Sequence, residues 1–534
     1  MSASVPQPAS GARWLRLRAV AVFALAFGYM YRLQHLTPVI QEYDGWFHIK
    51  FAALLPTIGF THEFKWAAQS TWAAHFADKE FLFHVLLIPF TWTGDLIAGL
   101  KLATALLAAG VVVSFFLVLA LGRARWPEAW TLLLLGSGYV FLYRLCMPRP
   151  HLLSIILLLW SVHLILHRRR RLLAAVILVY SLSYTAFHLP LALAVFVSVD
   201  LYLHERELDW KTPATILGAM ALGVVINPYF PQSFLAFWAH DFVVPWMSVR
   251  TDLDLSMADE LMPLSTRSFL LEHLPIALLY LGAFYLSLGR SRMPSRPSRA
   301  LFLISSLYLL MTLMIHRFVE YSVPLSLWFL ASFYSEQLAG FDLRRALSPR
   351  AGRARGLALG ATAALALLLA SAVAKTYRDT APIMNENPPS LRGAALYLEQ
   401  HTEPDELVFT CDWDDSPQLF FYNDHNRYPV MMDPVLMYLH DPQLWREWSR
   451  LADGGFAGRT YDMLAKTYRY GVCTWDFEGF RRIVDTDPRF EIVHDDIDAF
   501  VFRIDPEKRE IPLDKFLELA PPADRAEPAA ALQP

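Results

Sequence analysis

The sequence contains few cysteines and few charged side chains. Its three cysteines, Cys146, Cys411 and Cys473, are too few for a disulfide framework and lack the spacing of a metal-binding pair. Free thiols at Cys411 and Cys473 are the favoured interpretation, and a single bridge between them is the alternative. Only 18% of residues are charged. The formal net charge of −3 leaves no basic excess over the whole chain, which argues against nucleic acid as a partner.

Long apolar segments dominate the sequence. Hydrophobic residues make up 55% of the chain and the mean hydropathy is +0.31, more than a soluble enzyme of this size usually tolerates. The apolar residues gather in segments of roughly 16 to 25, long enough as helices to cross a ~30 Å hydrocarbon core. About eleven spanning helices are predicted on this criterion. They lie near residues 14–33, 97–121, 128–147, 150–166, 172–188, 189–203, 212–227, 267–288, 300–316, 320–337 and 356–374.

The arginines between these segments predict the topology. The first apolar stretch follows Arg13 and contains Arg16 and Arg18, which favours a cytoplasmic N-terminus. It lacks a cleavage-site pattern, so we expect it to be retained as a membrane helix. Alternate crossing then puts every arginine-rich loop on the same side. These loops lie near residues 123–125, 167–171, 206–211, 290–299 and 344–355. The arrangement requires that Phe81–Thr93 lie along the outer interface or re-enter it; if that run spans, the topology after it inverts.

The remaining loops and the C-terminal part then face outwards, which in a bacterial inner membrane is the periplasm. The sequence predicts an α-helical polytopic membrane domain over residues 1–375, with large outer loops at 41–95 and 227–267. A soluble periplasmic α/β domain is predicted over 376–520 and a disordered tail over 521–534. Within this domain we expect a helix near 390–401 and strands near 406–410, 470–474 and 499–504.

Two acidic clusters mark the first outer loop. One contains Asp44 and His48, and the second contains Asp78, Glu80 and His84. Carboxylates and imidazoles at a membrane surface, flanked by aromatic residues, form a candidate site for a divalent cation, and carboxylates suit Mg²⁺ or Mn²⁺. Plain solvation is the alternative, and it carries equal weight for the single charges Glu42 and Lys79.

Cations lie at other predicted outer helix ends. Arg144, Arg149 and His151 occupy one turn, and His316 and Arg317 begin another helix. A guanidinium presents a donor fork that suits phosphate oxygens, so these residues are candidates for binding a lipid phosphate. The alternative is that Arg317 pairs with Glu320 and merely anchors its helix.

Four motifs occur in register along the chain. They are Asp44-Gly-Trp-Phe-His48, Glu260-Leu-Met-Pro263, Arg317 before Phe318, and Asp412-Trp-Asp-Asp-Ser416. Together they resemble the GT-C glycosyltransferase superfamily, and most closely the catalytic subunits of oligosaccharyltransferases. In that order they are similar to the aspartate motif of the first outer loop, the E-x-x-P motif, the lipid-phosphate arginine and the W-W-D-Y-G signature of the soluble domain.

This resemblance implies an inverting sugar transfer from a polyprenyl-phosphate or polyprenyl-diphosphate donor. By the resemblance, Asp44 and Glu260 hold a divalent metal (Mg²⁺ or Mn²⁺), and Arg317 contacts the donor phosphate. Arg149 and His316 are placed on the donor side with Arg317, Asp78 and Glu80 flank the catalytic centre, and Trp413 and Asp414 lie near the acceptor.

The sequence departs from the superfamily pattern in two places. An acidic pair is expected in the second outer loop, but Arg149-Pro150-His151 stands there. The candidate replacement is His151, or Asp78 with His84, and His48 is a further candidate metal ligand. In the soluble-domain signature, Asp412, Asp415 and Ser416 replace Trp, Tyr and Gly, which leaves the acceptor open.

Two other function classes stay open. A transporter or flippase of a lipid-linked saccharide would place ionisable residues near the membrane midplane, whereas these clusters fall at outer helix ends. A non-catalytic scaffold that keeps the GT-C fold is compatible with the missing acidic pair.

Overall fold

The protein is described here from a computed structural model, which covers residues 9–248, 259–288, 294–348, 352–456 and 459–505. The predicted tail at 521–534 lies outside these residues. The helices up to Asn385 are α1 Ala9–Gln34, α2 Tyr43–Ile58, α3 Trp72–His75, α4 Phe81–Thr91, α5 Leu96–Leu121, α6 Pro127–Leu135, α7 Tyr139–Cys146, α8 His151–Leu166, α9 Arg170–Ser183, α10 Leu189–Glu205, α11 Lys211–Ile226, α12 Gln232–Trp238, α13 Val244–Ser248, α14 Thr266–Leu288, α15 Arg296–Met314, α16 Val319–Gln337, α17 Leu343–Ala346 and α18 Arg353–Asn385.

Tight helical turns connect several of these helices. Three are short 3₁₀ turns, at Thr185–His188, Asp259–Leu261 and His316–Phe318. A wider π-helical turn lies at Ala239–Val243. The C-terminal part adds α19 Arg392–His401, α20 Ser416–Tyr422, α21 Val435–His440, α22 Pro442–Ala452, α23 Thr460–Leu464 and α24 Glu478–Thr486. Its strands are β1 Val408–Thr410, β2 Tyr470–Thr474, β3 Phe490–Asp495 and β4 Ala499–Ile504.

The chain is a mostly helical, polytopic membrane protein. Among the described residues, six helices are long and apolar enough to cross a membrane, and a seventh crossing results if α6 and α7, which meet at 86°, form one broken span. All eleven predicted spans fall on helices, but α8 and α11 have 16 residues each and α9 has 14. Sixteen residues rise about 24 Å, less than a ~30 Å core. Helix α16 has 19 residues but is not among the helices that are apolar enough to cross. The crossings beyond seven therefore remain a prediction.

Helix α4 is too short to span. It has 11 residues, which rise about 16 Å. This length agrees with the expectation that the run from Phe81 to Thr93 does not cross, on which the predicted topology depends.

The C-terminal part folds around a four-stranded sheet of order β1-β2-β4-β3. Strands β1 and β2 are parallel, and the other two pairs are antiparallel. The predicted helix and three predicted strands are present, while β3 was not predicted. It is an edge strand in which only Phe490 is buried, so it lacks a regular apolar alternation.

Cys411 and Cys473 form a disulfide, which corrects the expectation of two free thiols. The register of the sheet explains the pairing. Thr410 is opposite Val472, so the two cysteines follow one position later on neighbouring parallel strands, with their Cα atoms 5.1 Å apart. That distance is normal for a disulfide. Cys146 is buried and free.

Two large apolar cores hold the protein together. One lies within the bundle of membrane helices. The other is shared between the C-terminal sheet domain and the first outer loop, where Phe47, Phe51 and Phe64 of the loop lie in the same buried cluster as Phe409 and Phe420. The C-terminal domain therefore packs directly on the loop that carries Asp44.

Candidate functional site

Four chain segments bring charged side chains together at one end of the helical bundle. They are the start of α2, the end of α7 with the turn that follows it, the 3₁₀ turn Asp259–Leu261, and the 3₁₀ turn His316–Phe318. Gly45 permits a close approach between two of these segments, because a Cβ atom there would lie 2.5 Å from Pro148 Cγ. The start of α2 and the turn that carries Arg149 are therefore packed against each other.

Arg149 is the centre of a carboxylate cluster formed by Glu42, Asp44 and Glu260. Its Nε donates to Glu42 Oε1 at 2.6 Å and lies 3.1 Å from Asp44 Oδ2. Its Nη1 donates to Glu260 Oε1 at 3.0 Å. Glu42 is also the N-cap of α2, since it accepts the backbone N–H groups of Asp44 and Gly45 at 3.0 and 3.1 Å.

Glu260 is shared by three arginines. Besides Arg149, it pairs with Arg144 Nη1, and its Oε1 lies 3.2 Å from Arg317 Nη1. The three guanidiniums differ in exposure: the Arg144 side chain is 3% exposed, Arg149 15% and Arg317 33%. A ligand that arrives from solvent therefore reaches Arg317 most easily. Arg317 also donates to Tyr184 Oη at 2.6 Å.

Glu320 pairs with Arg144 rather than with Arg317, its neighbour in sequence. Glu320 accepts from Arg144 Nη2 at 2.8 Å and Nε at 3.2 Å, whereas Arg317 pairs with Glu260. His151 is fully buried, and its Nε2 lies 2.8 Å from the backbone oxygen of Arg144. Its other ring nitrogen has no hydrogen-bond partner among the described residues. His151 therefore lies against Arg144 rather than beside Asp44.

Burial and charge change the pKa values of the two acidic site residues in opposite directions. Burial raises the pKa of Asp44 to about 7; Arg149 opposes this shift, and the neighbouring carboxylates add to it. Burial also acts to raise the pKa of Glu260, but the guanidiniums of Arg149, Arg144 and Arg317 outweigh it and hold that pKa well below its usual range. Near neutral pH, Glu260 is a fixed negative charge while Asp44 can exchange a proton.

His316 lies beside this cluster on the same 3₁₀ turn as Arg317. Burial and Arg144 lower the pKa of its imidazole, so the ring is neutral at pH 7. Its Nε2 is buried without a hydrogen-bond partner in the described part of the chain.

A second group, His48, Glu80 and His84, offers a set of metal ligands. One ligand atom from each lies within 4.8 Å of the others, and all three residues are buried. His48 Nδ1 is 2.9 Å from His84 Nε2, and burial lowers the pKa of His48 well below its usual value, which keeps the ring neutral. Asp78 Oδ2 lies 2.9 Å from His84 Nδ1 and fixes the orientation of that ring.

The fit of a divalent ion therefore differs between the two groups. Two imidazoles and a carboxylate, with Asp78 behind one ring, fit a transition ion. Between Asp44 and Glu260, by contrast, the Arg149 guanidinium already contacts both carboxylates. The residues of that cluster do not fit a metal as they stand.

The two residues predicted near the acceptor lie in the turn between β1 and α20. Trp413 is 7% exposed and belongs to the apolar core of the C-terminal domain. Asp414 is half-buried; burial and then the charge of Asp412 raise its pKa to about 9, with Asp44 and Asp415 contributing further. Asp414 is therefore protonated at neutral pH and faces the charged cluster around Asp44.

A polar cavity of about 450 Å³ adjoins the site. Gln41, Tyr43 and Tyr143 line it from the membrane body, and Asn387 lines it from the segment after α18. This volume is within the range of small-molecule sites. The cavity lies next to the cluster of charged side chains, because two of its lining residues, Tyr43 and Tyr143, directly precede Asp44 and Arg144 in the chain.

Sequence reasoning underrated Glu42 and did not identify Glu320 as part of the site. The signal for Glu42 is its position two residues before Asp44, where one side chain can cap α2 and face the same turn. No pattern connects Lys79, His240 and Asp433, yet Lys79 Nζ lies 3.1 Å from the ring nitrogens of His240, which is 3.9 Å from Asp433. Such contacts between distant loops require the fold.

Comparison with solved structures identifies the fold. The Archaeoglobus fulgidus oligosaccharyltransferase, crystallised with a tethered acceptor peptide, has a TM-score of 0.57 at 12% identity, over 93% of this chain and 75% of that one. ArnT from Cupriavidus metallidurans, bound to undecaprenyl phosphate, has a TM-score of 0.52 at 14% identity. The match covers 93% of this chain and 98% of ArnT. The fold is that of the GT-C glycosyltransferases.

The GT-C fold is also shared with the arabinofuranosyltransferase AftD from Mycobacteria. That structure has a TM-score of 0.54 at 16% identity; the match covers 94% of this chain and 40% of AftD. No protein-family profile and no curated protein sequence matches the chain. At these identities the likeness establishes the GT-C fold, and the activity must be argued from the site.

Proposed function

We propose that the protein is a membrane glycosyltransferase that moves a sugar or oligosaccharide from a polyprenyl-phosphate or polyprenyl-diphosphate donor to an acceptor. The observation that carries the proposal is the cluster of three arginines beside Asp44, a carboxylate whose pKa is raised to about 7. Phosphate recognition and a proton acceptor active at neutral pH are the two requirements of this transfer. The structural similarity to ArnT, solved with undecaprenyl phosphate, supports the choice of donor.

The donor phosphate binds at Arg317 in this proposal. Arg317 is the most exposed of the three guanidiniums, and its partner Glu260 is also shared with Arg144 and Arg149. A phosphate can therefore compete for Arg317 while the other two arginines keep Glu260 in place. His316 lies on the same turn and is assigned to the donor side with Arg149. Its ring is neutral, and its Nε2 has no hydrogen-bond partner among the residues that the structure describes.

Asp44 is the proposed general base. An acceptor hydroxyl attacks the anomeric carbon, its proton passes to Asp44, and the bond from that carbon to the phosphate oxygen breaks with its electron pair going to the leaving phosphate. The arginines stabilise the charge that develops on this phosphate. Since attack comes from the face opposite the leaving group, the configuration at the anomeric carbon inverts.

We place a divalent cation at His48, Glu80 and His84 rather than between Asp44 and Glu260. The two imidazoles favour a transition ion such as Zn²⁺ over Mg²⁺, which prefers oxygen ligands. Because the three ligands are buried, such an ion would supply structural support and positive potential behind α2. Asp78 holds the His84 ring in position for it.

Trp413 and Asp414 remain our assignment for the acceptor side. Protonated Asp414 can donate a hydrogen bond to a bound acceptor, whereas the buried Trp413 holds the turn in place. The cavity between Tyr43 and Asn387 offers space for a polar group next to Asp44. We further propose that the site faces the periplasm at a bacterial inner membrane, with the N-terminus cytoplasmic. The disulfide of the C-terminal domain supports this side, since such bonds persist in oxidising compartments.

A non-catalytic scaffold is the second candidate, and the pairing of Arg149 with the site carboxylates is the observation in its favour. A transporter of the lipid-linked saccharide has less support, because the charged groups gather where helices begin or end.

The test is an assay of the purified protein with a panel of polyprenyl-linked sugars, following release of polyprenyl phosphate or diphosphate. Wild type should turn over at least one donor, and Asp44→Asn should bind the same donor with loss of turnover. Binding without turnover by wild type over a broad panel of donors and acceptors would favour the scaffold.

A further inference from the structure

Arg149 stands at a position where a metal was expected. We infer that its guanidinium is the resident cation of the carboxylate cluster Glu42, Asp44 and Glu260, and that this cluster works without a divalent ion. The inference deepens the proposed function and rests on it only for the reaction that the cluster serves.

The geometry around Arg149 resembles that around a bound ion. Carboxylates from separate chain segments converge on one guanidinium, as they would around an ion: Nε is 2.6 Å from Glu42 and 3.1 Å from Asp44, and Nη1 is 3.0 Å from Glu260. Nη2 is also paired with Glu42. Each nitrogen of the guanidinium therefore has a carboxylate partner, and the planar fork fits these oxygens in several directions at once.

The Arg149 guanidinium is also fixed in place. Its side chain is largely buried, as are those of its partners, so separating the pairs would leave uncompensated charges away from water. Its backbone is held as well: Arg149 N donates to Met147 O at 2.9 Å, and Pro150 follows directly. Pro148 packs against Gly45, which keeps the turn close to α2.

Electrostatic repulsion also opposes an added ion. A divalent ion between Asp44 and Glu260 would lie against the Arg149 guanidinium, which contacts both carboxylates. Like charges only a few Å apart repel strongly at a partly buried site, where water screens them less than in bulk solvent. The cluster can accept an added cation only if Arg149 leaves.

This assignment gives Arg149 a defined part in the reaction. It offsets part of the negative charge of Glu42, Asp44 and Glu260, so that a phosphate can approach Arg317 beside them. An arginine side chain keeps its charge at every physiological pH. Unlike a bound metal ion, it cannot be extracted by a chelator.

The test is a calorimetric titration of the purified full-length protein with Ca²⁺. Ca²⁺ takes oxygen ligands, so it reports on the carboxylate cluster rather than on the imidazoles of His48 and His84. Wild type and Asp44→Asn should bind Ca²⁺ alike, with no site that depends on Asp44. Arg149→Ala should gain one Ca²⁺ site, which the added change Asp44→Asn removes. Arg149→Lys, which keeps a cation, should gain none.

Two results would overturn the inference. One is Ca²⁺ binding by wild type that Asp44→Asn abolishes, and this comparison stands even if Arg149→Ala fails to fold. The other is a folded Arg149→Ala protein that gains no site. Neither result involves a sugar donor, so a failed transfer assay would count against the proposed reaction alone.

Discussion

At the scale of single residues, the site combines groups that keep their charge with one that changes it near neutral pH. Glu260 stays ionised because three guanidiniums lower its pKa, while burial raises the pKa of Asp44. The same guanidinium of Arg149 contacts both carboxylates. The difference arises because Glu260 has three cationic partners and Asp44 has one.

The raised pKa of Asp44 predicts a pH dependence. Below about pH 7 the carboxyl is protonated and cannot accept a proton, so the rate of transfer should fall about tenfold per pH unit as the pH decreases. Above pH 7 the rate should level off. Measurement of turnover from pH 5 to pH 9 checks this. A profile that stays flat from pH 5 to pH 7, in a protein whose chemical step limits the rate, would contradict Asp44 as the base.

Arg317→Ala should weaken binding of polyprenyl phosphate. A hydrogen bond to a charged group contributes about 1.5 to 3 kcal/mol, so the dissociation constant should rise about ten- to a hundredfold. Titration of the purified protein with the lipid phosphate measures it. The matched control is Arg345→Ala, because that side chain is 90% exposed and its ion pair within the described residues is with Asp342 at 3.8 Å. Equal affinities of the two variants would place the phosphate elsewhere.

The sequence predicted several residues of the site but not their pairing. Asp44, Glu260 and Arg317 follow from motifs whose spacing is local. That Arg149 lies between Asp44 and Glu260 depends on how three loops meet, and no local pattern contains this information. The proximity of Glu320 to Arg317 in sequence suggested a pair, but α16 directs Glu320 towards Arg144 instead.

At the scale of elements, apolar length predicted the helices well and their breaks poorly. The run near 128–147 is one apolar segment in sequence, but it divides into α6 and α7 around Gly136 and Gly138, and the two halves meet at 86°. Gly138 has a φ of 138°, a conformation that residues with a side chain rarely adopt. Hydropathy averages over such a break and cannot detect it.

The disulfide between β1 and β2 should stabilise the C-terminal domain. It closes a loop with a sequence separation of 62 residues, and a bridge of this kind typically contributes about 2 to 4 kcal/mol to the free energy of unfolding. A Cys411→Ser, Cys473→Ser double variant should therefore unfold at a lower temperature. Thermal unfolding followed by near-UV circular dichroism measures the difference.

Reductant provides the control for this prediction. It should lower the unfolding temperature of wild type and leave the double variant unchanged. A wild-type transition that is insensitive to reductant and equal to that of the variant would show that the bridge adds no stability.

At the scale of the whole molecule, the C-terminal domain caps the site through contacts with the first outer loop. Lys50 Nζ is 3.3 Å from Asp424, Trp66 Nε1 donates to Asp424 O at 2.7 Å, and Tyr468 Oη donates to Gln69 at 2.6 Å. Together with the shared apolar core, these bonds hold the turn of Asp414 above α2. The domain and the membrane body therefore form the site jointly.

The predicted topology puts the first outer loop and the arginine-rich loops on opposite sides of the membrane. Single cysteines at Glu63 and Arg169, both exposed, test this in cells with a membrane-impermeant maleimide. Glu63→Cys should react in spheroplasts with an intact inner membrane, and Arg169→Cys only after that membrane is opened. Cys146 is buried and the other two cysteines are bridged, so the background should be low. The reverse pattern would invert the topology.

The most direct test of the central claim, that this GT-C fold transfers a sugar from a lipid-linked donor, uses proteoliposomes that contain the purified protein and a labelled polyprenyl-linked sugar. Both release of the sugar from its lipid and movement of the intact donor across the bilayer are measured. We predict release or transfer with wild type, its loss in Asp44→Asn, and no movement of intact donor above that in empty liposomes. Movement of intact donor without release, equal in wild type and Asp44→Asn, would contradict the account.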